Sequence, residues 1–223
     1  MPESGDKILL MDKIQYSHMK RAEIRQAAEV AVQAFSAYEY FTNYFPEAES
    51  RLDFMRRVIA SEYRTNYGKA HYLVGRLDDR IVAVADLRSP NYQKPGDLAY
   101  LLHGWWRVMT LRPKEPVETW LQMDQEAGMY CHNQADTHTW YLSSLTISPD
   151  CQGMGIGTEM LMHTIIPYIK QHGGRRISFF TNSQKNLEFY SGLGFEVADE
   201  REFHHNGHTM GSWSFVRELD MLI

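Results

Sequence analysis

Ser143-Ser144-Leu145-Thr146-Ile147-Ser148-Pro149-Asp150-Cys151-Gln152-Gly153-Met154-Gly155-Ile156-Gly157-Thr158-Glu159-Met160-Leu161 is the stretch around which the chain is organised. A short run with apolar and β-branched residues is closed by Ser-Pro-Asp, passes through three alternate glycines and enters a segment with helical spacing. It therefore reads as strand, turn, helix. The first backbone N–H groups of a helix have no intrahelical acceptor, and the macrodipole places partial positive charge at the same end. An anion such as phosphate fits there. Glycines at 153, 155 and 157 remove the Cβ atoms that would hold a ligand away from those amides.

Two nucleotide motifs are a poor fit. A P-loop needs Lys and then Ser or Thr after its last glycine, whereas Gly157 is followed by Thr158 and Glu159. The dinucleotide fingerprint needs a third small residue three places after Gly157, where Met160 stands.

Gln152-Gly153-Met154-Gly155-Ile156-Gly157 resembles instead the Q/R-x-x-G-x-G/A signature of the GNAT superfamily of acyl-CoA-dependent N-acetyltransferases. Downstream, a second strand, Arg176 to Thr181, precedes Asn186-Leu187-Glu188-Phe189-Tyr190-Ser191-Gly192-Leu193-Gly194-Phe195. That segment is similar to the one in the superfamily that runs from an Asn through an aromatic pair to Gly-Phe. Trp140-Tyr141-Leu142, Ser148-Pro149-Asp150 and Asn186-Leu187-x-Phe189-Tyr190 look most like the puromycin N-acetyltransferase group. The likeness is good over roughly residues 139–219 and holds only in outline before them.

The resemblance implies an α/β (α+β) fold with a mixed, mostly antiparallel sheet of about seven strands, a splay between strands four and five, and helices on both faces. It also implies acetyl-CoA as co-substrate, with no metal. Within that scheme the strand-four backbone groups of Leu145, Thr146 and Ile147 would meet the pantetheine arm. The amides of Gln152, Gly153, Met154, Gly155, Ile156, Gly157 and Thr158 would hold the pyrophosphate. Tyr190 would be the general acid that protonates the departing thiolate, because a phenol can lend that proton. Asn186 lies one helical turn earlier and would share its face, contacting CoA; Phe189 would form part of the cofactor wall.

The family's strand-four glutamate has no counterpart, since the corresponding region offers only Ser143 and Ser144. A water held by these hydroxyls, Asp86, Glu39, His103, His132 and His138 all stand as candidate bases. Direct attack by the amine is expected, because Cys151 lies before the phosphate loop, too far from the acetyl end to act as nucleophile.

Composition agrees with an ordinary folded protein: 223 residues, 43% hydrophobic and 23% charged, suit one domain spanning 1–223. A formal charge of −5 without a basic stripe argues against nucleic acid and anionic membranes as partners. Ile8-Leu9-Leu10-Met11 is too short for a signal peptide, and no run reaches membrane-spanning length, so a cytoplasmic protein is expected. Cys131 and Cys151 have neither metal spacing nor disulfide density. His204-His205-x-x-His208 flanks Asn206-Gly207 and reads as a hairpin turn rather than a zinc site.

In chain order, the pattern predicts a strand at Ile14–Ser17, a helix over Met19–Phe35, an aromatic link from Tyr38 to Pro46 and a helix over Glu47–Tyr63. The link's rings either overhang the acceptor or cap the core. Two strands, His71–Gly75 and Arg80–Leu87, form a hairpin across Leu77-Asp78-Asp79. About residues 89–138 form an insertion with helices near Leu98–Met109 and Val117–Cys131, which either walls the acceptor site or merely packs. Strand four is Trp140–Ile147; the helix after it runs to Gln171 and is distorted by Pro167. Gln184–Ser191 is helical, and Phe195–Phe203 pairs with Thr209–Leu219.

The expected function is transfer of acetyl from acetyl-CoA to a primary amine of a small molecule by a monomer or homodimer. The alternatives are a non-catalytic acyl-CoA or metabolite binder and an acetyltransferase of protein N-termini or lysines.

Overall fold

The computed structural model of the protein describes residues 13–133 and 136–220. Ile8 to Met11 lie outside them. The elements are β1 (Gln15–His18), α1 (Ile24–Phe35), α2 (Glu39–Thr42), α3 (Ala48–Asn66), β2 (His71–Leu77), β3 (Arg80–Arg88), α4 (97–109), α5 (Glu115–Asn133), β4 (Thr139–Ile147), α6 (156–171), β5 (Arg176–Thr181), α7 (Gln184–Gly192), β6 (Glu196–His205) and β7 (His208–Glu218). The strands form one seven-stranded sheet in the order β1-β2-β3-β4-β5-β7-β6. All neighbours are antiparallel except β4 and β5. This is the mixed fold expected from the sequence.

Alternation along β3 distributes its side chains to two faces, as the pleat requires. Ala83, Ala85 and Leu87 join the cluster built on Ile156, Met160, Leu161, Ile165 and Ile169 of α6, while Val84 packs with Ala27 and Ala31 of α1. A third cluster, with Phe41, Phe45, Phe54, Trp120 and Met123, lies where the aromatic link meets α5. α5 in turn contacts β5, β6 and β7. Between β3 and β4 the two inserted helices are present as expected. α4 is interrupted at Gly104, whose φ of 112° no β-branched residue would accept.

Helix α6 is π-helical over Met160–Ile165, immediately before Pro167. A proline without an N–H breaks the regular ladder at this point, which is the distortion expected of it. The β6–β7 turn has φ of 49° at Asn206 and 79° at Gly207, a primed turn whose twist suits a hairpin. His204 Nδ1 lies 3.0 Å from Thr209 Oγ1, and His205 stacks on Tyr44.

Candidate active site

β4 and β5 pair over only three positions, Thr139 with Arg176, Trp140 with Ile177 and Tyr141 with Ser178. Beyond them the strands part. β4 stays registered with β3 to Ile147, and its bulge leaves Ser143 without an opposite residue, since Leu87 faces Leu142 and Asp86 faces Ser144. A bulge increases local twist, which turns the end of β4 away from β5. Leu145, Thr146 and Ile147 therefore have no β5 residue paired with them, and the edge of β4 they form faces the wedge between the parted strands.

The wedge leads to the glycine loop. Gly153 and Gly155 have φ of 74° and 87°, the region in which L side chains are strained. Gly157 differs: its φ is not positive, and a Cβ there would meet Ile147 and Phe189 only at ordinary distances of 3.7 and 3.8 Å. Neither backbone nor internal packing demands a glycine at 157. The ladder of α6 begins with Glu159 N–H donating to Gly155 O, so the amides of Ile156, Gly157 and Thr158 precede its first bond.

Several side chains brace this loop. Gln152 Nε2 donates to Ile147 O at 3.1 Å, and Ser148 Oγ donates to Asp150 Oδ1 at 2.5 Å. Arg80 pairs with Asp150 at 2.6 Å. The Ser148 hydrogen bond first, and Arg80 second, hold the Asp150 carboxyl below its ordinary value. Because both partners of the ion pair are about half exposed, it contributes less than about 1 kcal/mol.

Tyr190 is buried in an aromatic cluster, with ring centroids 4.3 Å from Phe179, 5.0 Å from Phe189 and 5.6 Å from Phe215. Burial raises its phenol well above the ordinary value, with the nearby Tyr38 adding to the effect, so it is protonated at any working pH. Asn186, one turn earlier, donates from Nδ2 to Thr181 Oγ1 at 3.0 Å. Its amide is thus engaged with β5.

A largely buried polar layer is built around the β3–β4 bulge. Asp86 is 1% exposed, and its Oδ2 lies 3.7 Å from Arg88. Arg88 also donates to Glu62 Oε1 at 2.8 Å, and Glu62 accepts from Asn66 Nδ2 at 3.0 Å. Burial pushes the Asp86 carboxyl up to about 6, against the pull of Arg88, while Glu62 pushes in the same direction as burial. Tyr40 donates to Asp124 of α5, whose carboxyl is also raised by burial. Tyr141 extends this layer between Arg88 and Asp124, and Arg88 lies over its ring.

The remaining candidate bases are placed less favourably. Glu39 is exposed in the first turn of α2. His103 Nδ1 is 2.7 Å from Ala99 O, and His138 is exposed just before β4. His132 packs tilted against Tyr141, and desolvation with the charges of Arg88 and Lys94 lowers its pKa. Of the aromatic link, Phe41, Tyr44 and Phe45 are core residues, whereas Tyr38 and Tyr40 place their hydroxyls on polar partners. Cys131 and Cys151 are buried, free thiols, and no cluster of three or more potential metal ligands occurs among the described residues.

Glu62, Arg88, Asp124, Tyr38, Tyr40, Tyr63 and Tyr141 were not singled out by sequence as individual site residues. Asp124 carried a signal: it stands in the stripe Val117, Trp120, Asp124, Ala127, Cys131, where an amphipathic helix places apolar residues.

The Acetyltransferase (GNAT) family profile matches residues 34–195, and the chain belongs to that family. It is an N-acetyltransferase of a family that uses acetyl-CoA. Among solved structures, one titled histone acetyltransferase HPA2 and related acetyltransferase, from Corynebacterium glutamicum, has a TM-score of 0.61 at 18% identity, covering 94% of this chain and 98% of its own. The yncA protein of Salmonella typhimurium, solved with acetyl-CoA as its cofactor, gives 0.55 at 13% identity, with 93% and 95% covered. The ribosomal-protein-S18-alanine N-acetyltransferase of Escherichia coli gives 0.56 at 12%, with 94% and 96% covered. At these identities the likeness is one of fold.

Proposed function

We propose that the protein moves acetyl from acetyl-CoA to the primary amine of a small molecule, by direct attack in a ternary complex. The observation that carries this reading is the early parting of β4 from β5, which opens unpaired strand backbone directly onto the glycine loop. Leu145, Thr146 and Ile147 would hydrogen-bond an extended amide-bearing arm, and the amides from Gln152 through Gly153, Met154, Gly155, Ile156 and Gly157 to Thr158 would hold its pyrophosphate. The glycine at 157, which the fold itself does not require, is accounted for if a ligand packs against that backbone. Phe189 would line the same cleft, and Asn186 would reach it only by exchanging its bond to Thr181.

Tyr190, held protonated by burial, would donate to the leaving thiolate. A small acceptor is favoured because α5 is tied to the aromatic link through Tyr40 and Asp124, narrowing the side from which an amine would approach. The same insertion supports placement with the puromycin N-acetyltransferase-like group and a single 1–223 domain. Two free buried thiols suit a reducing compartment such as the cytoplasm.

Calorimetric titration of acetyl-CoA, with NADPH and ATP as controls, tests the donor. Micromolar binding confined to acetyl-CoA, about −8 kcal/mol, is expected. A panel of small primary amines, with thiol release as the readout, tests the acceptor; preference for ATP, or acetylation of peptides alone, would sink the corresponding half of the reading.

A further inference from the structure

Five buried polar atoms around the β3–β4 bulge lack a hydrogen-bond partner in good geometry: Asp86 Oδ1, Arg88 Nε, Ser61 Oγ and the hydroxyls of Tyr63 and Tyr72. Each such group costs of order 1–3 kcal/mol. Retaining several together is characteristic of a place where groups are kept available for chemistry. Ser143 and Ser144 provide the opening to this layer. Ser144 faces Asp86 across the strand pair, Ser143 sits at the bulge with no residue opposite, and both are only partly buried just before Leu145, Thr146 and Ile147. Ser143 and Tyr72 are loose hydrogen-bond partners of the Asp86 carboxyl, and Ser144 is that of Tyr63.

The other carboxylates of the layer are occupied. Glu62 accepts from Arg88 and Asn66, and Asp124 accepts from Tyr40. Asp86 alone among the three combines an unused oxygen with a cross-strand neighbour at the opening. The charged and titratable groups facing it are Glu62 and Tyr63 from α3, Tyr72 from β2, Arg88 from β3, Tyr92 from the following loop and Tyr141 from β4.

Resting on the acetyltransferase reading, we propose that Asp86 is the terminal proton acceptor for the incoming amine, reached through the hydroxyl of Ser143. The ammonium gives one proton to Ser143 Oγ as that hydroxyl's own hydrogen passes to Asp86. The neutral nitrogen then forms the C–N bond, and the C–S bond breaks. The thiolate takes the proton of Tyr190, which recovers one from the new amide nitrogen, and Asp86 returns its proton to solvent. Burial poises Asp86 near 6, within reach of a neutral working pH, while Arg88 keeps its charged form accessible.

The test is kcat/KM for benzylamine across pH, followed by thiol release, together with a ¹³C-carboxyl NMR titration of the wild type. Wild-type kcat/KM should rise with ionisation of a group near 6 and then level. Asp86→Asn should lose about 100-fold at neutral pH and instead rise with deprotonation of the free amine, tenfold per pH unit, while acetyl-CoA affinity is unchanged. Ser143→Ala removes the hydroxyl at the bulge, where no residue stands opposite it, so it should slow the reaction in the same pH range while acetyl-CoA affinity is unchanged. In the NMR arm, benzylamine added with CoA should lower the pH at which the Asp86 signal titrates. A wild-type pH profile in both variants, or an Asp86 signal indifferent to the amine, overturns the proposal. Failure to bind acetyl-CoA sinks the donor site instead.

Discussion

Tyr38 and Thr181, 143 residues apart in sequence, have their hydroxyl oxygens 2.8 Å apart, so the aromatic link is fastened to the end of β5. The Tyr38 oxygen also accepts the N–H of Asn182 at 2.6 Å, and Asn182 is 1% exposed. Tyr38→Phe keeps the ring but strands that buried donor. A loss of about 1–3 kcal/mol is expected, read as a lower urea midpoint with an unchanged slope. An unaltered midpoint would mean the link is held by ring packing alone.

Tyr190 supplies a second test. Its ring would remain packed against Phe179, Phe189 and Phe215 in Tyr190→Phe, so stability should hardly change. A donor acting on the leaving thiolate predicts a fall in kcat of about 10²-fold or more, with acetyl-CoA affinity retained in a calorimetric titration. Equal loss of binding and rate would assign Tyr190 to the wall of the cleft instead.

Asp86 also makes stability depend on pH, with a definite sign. Its carboxyl titrates near 6 in the folded chain, against an ordinary value of 3.8. The folded state therefore holds more protons between these values, and stability falls as pH rises through that window before levelling above it. The shift corresponds to about 3 kcal/mol. Asp124, raised by burial too, acts in the same direction. Urea midpoints measured on either side of pH 6 should show the decline, and Asp86→Asn should flatten most of it. A slope unchanged in the variant would place the titration elsewhere.

The elements were legible because their apolar periods differ: α1 repeats Ile24, Ala27, Ala28 and Ala31, whereas β3 alternates Ala83, Ala85 and Leu87 against Val84. The glycine loop and Tyr190 were legible as motif residues. The polar layer was not, because each member has an ordinary local explanation: Arg88 ends a strand, Glu62 sits on a long helix, and Tyr63 reads as packing. Only tertiary pairing of β3 with β4, and the bulge at Ser143, assembles them. Glycine identity likewise conceals a distinction, since the letter is the same whether φ is positive, as at 153 and 155, or not, as at 157.

That distinction separates folding from binding. Gly155→Val forces a β-branched residue to φ of 87°, a strain of about 1–3 kcal/mol, so it should lower stability and binding together. Gly157→Ala meets no such obstacle, because its Cβ would make only ordinary contacts with Ile147 and Phe189. Within a helix the change should stabilise the fold by about 0.5–1 kcal/mol. If the backbone at 157 is where a phosphate-bearing ligand packs, the same methyl group should weaken acetyl-CoA binding about tenfold or more, near 1.4 kcal/mol. A protein that melts higher yet binds acetyl-CoA more weakly is the expected result of thermal unfolding and calorimetry on this variant. Unchanged affinity would move the ligand away from the start of α6.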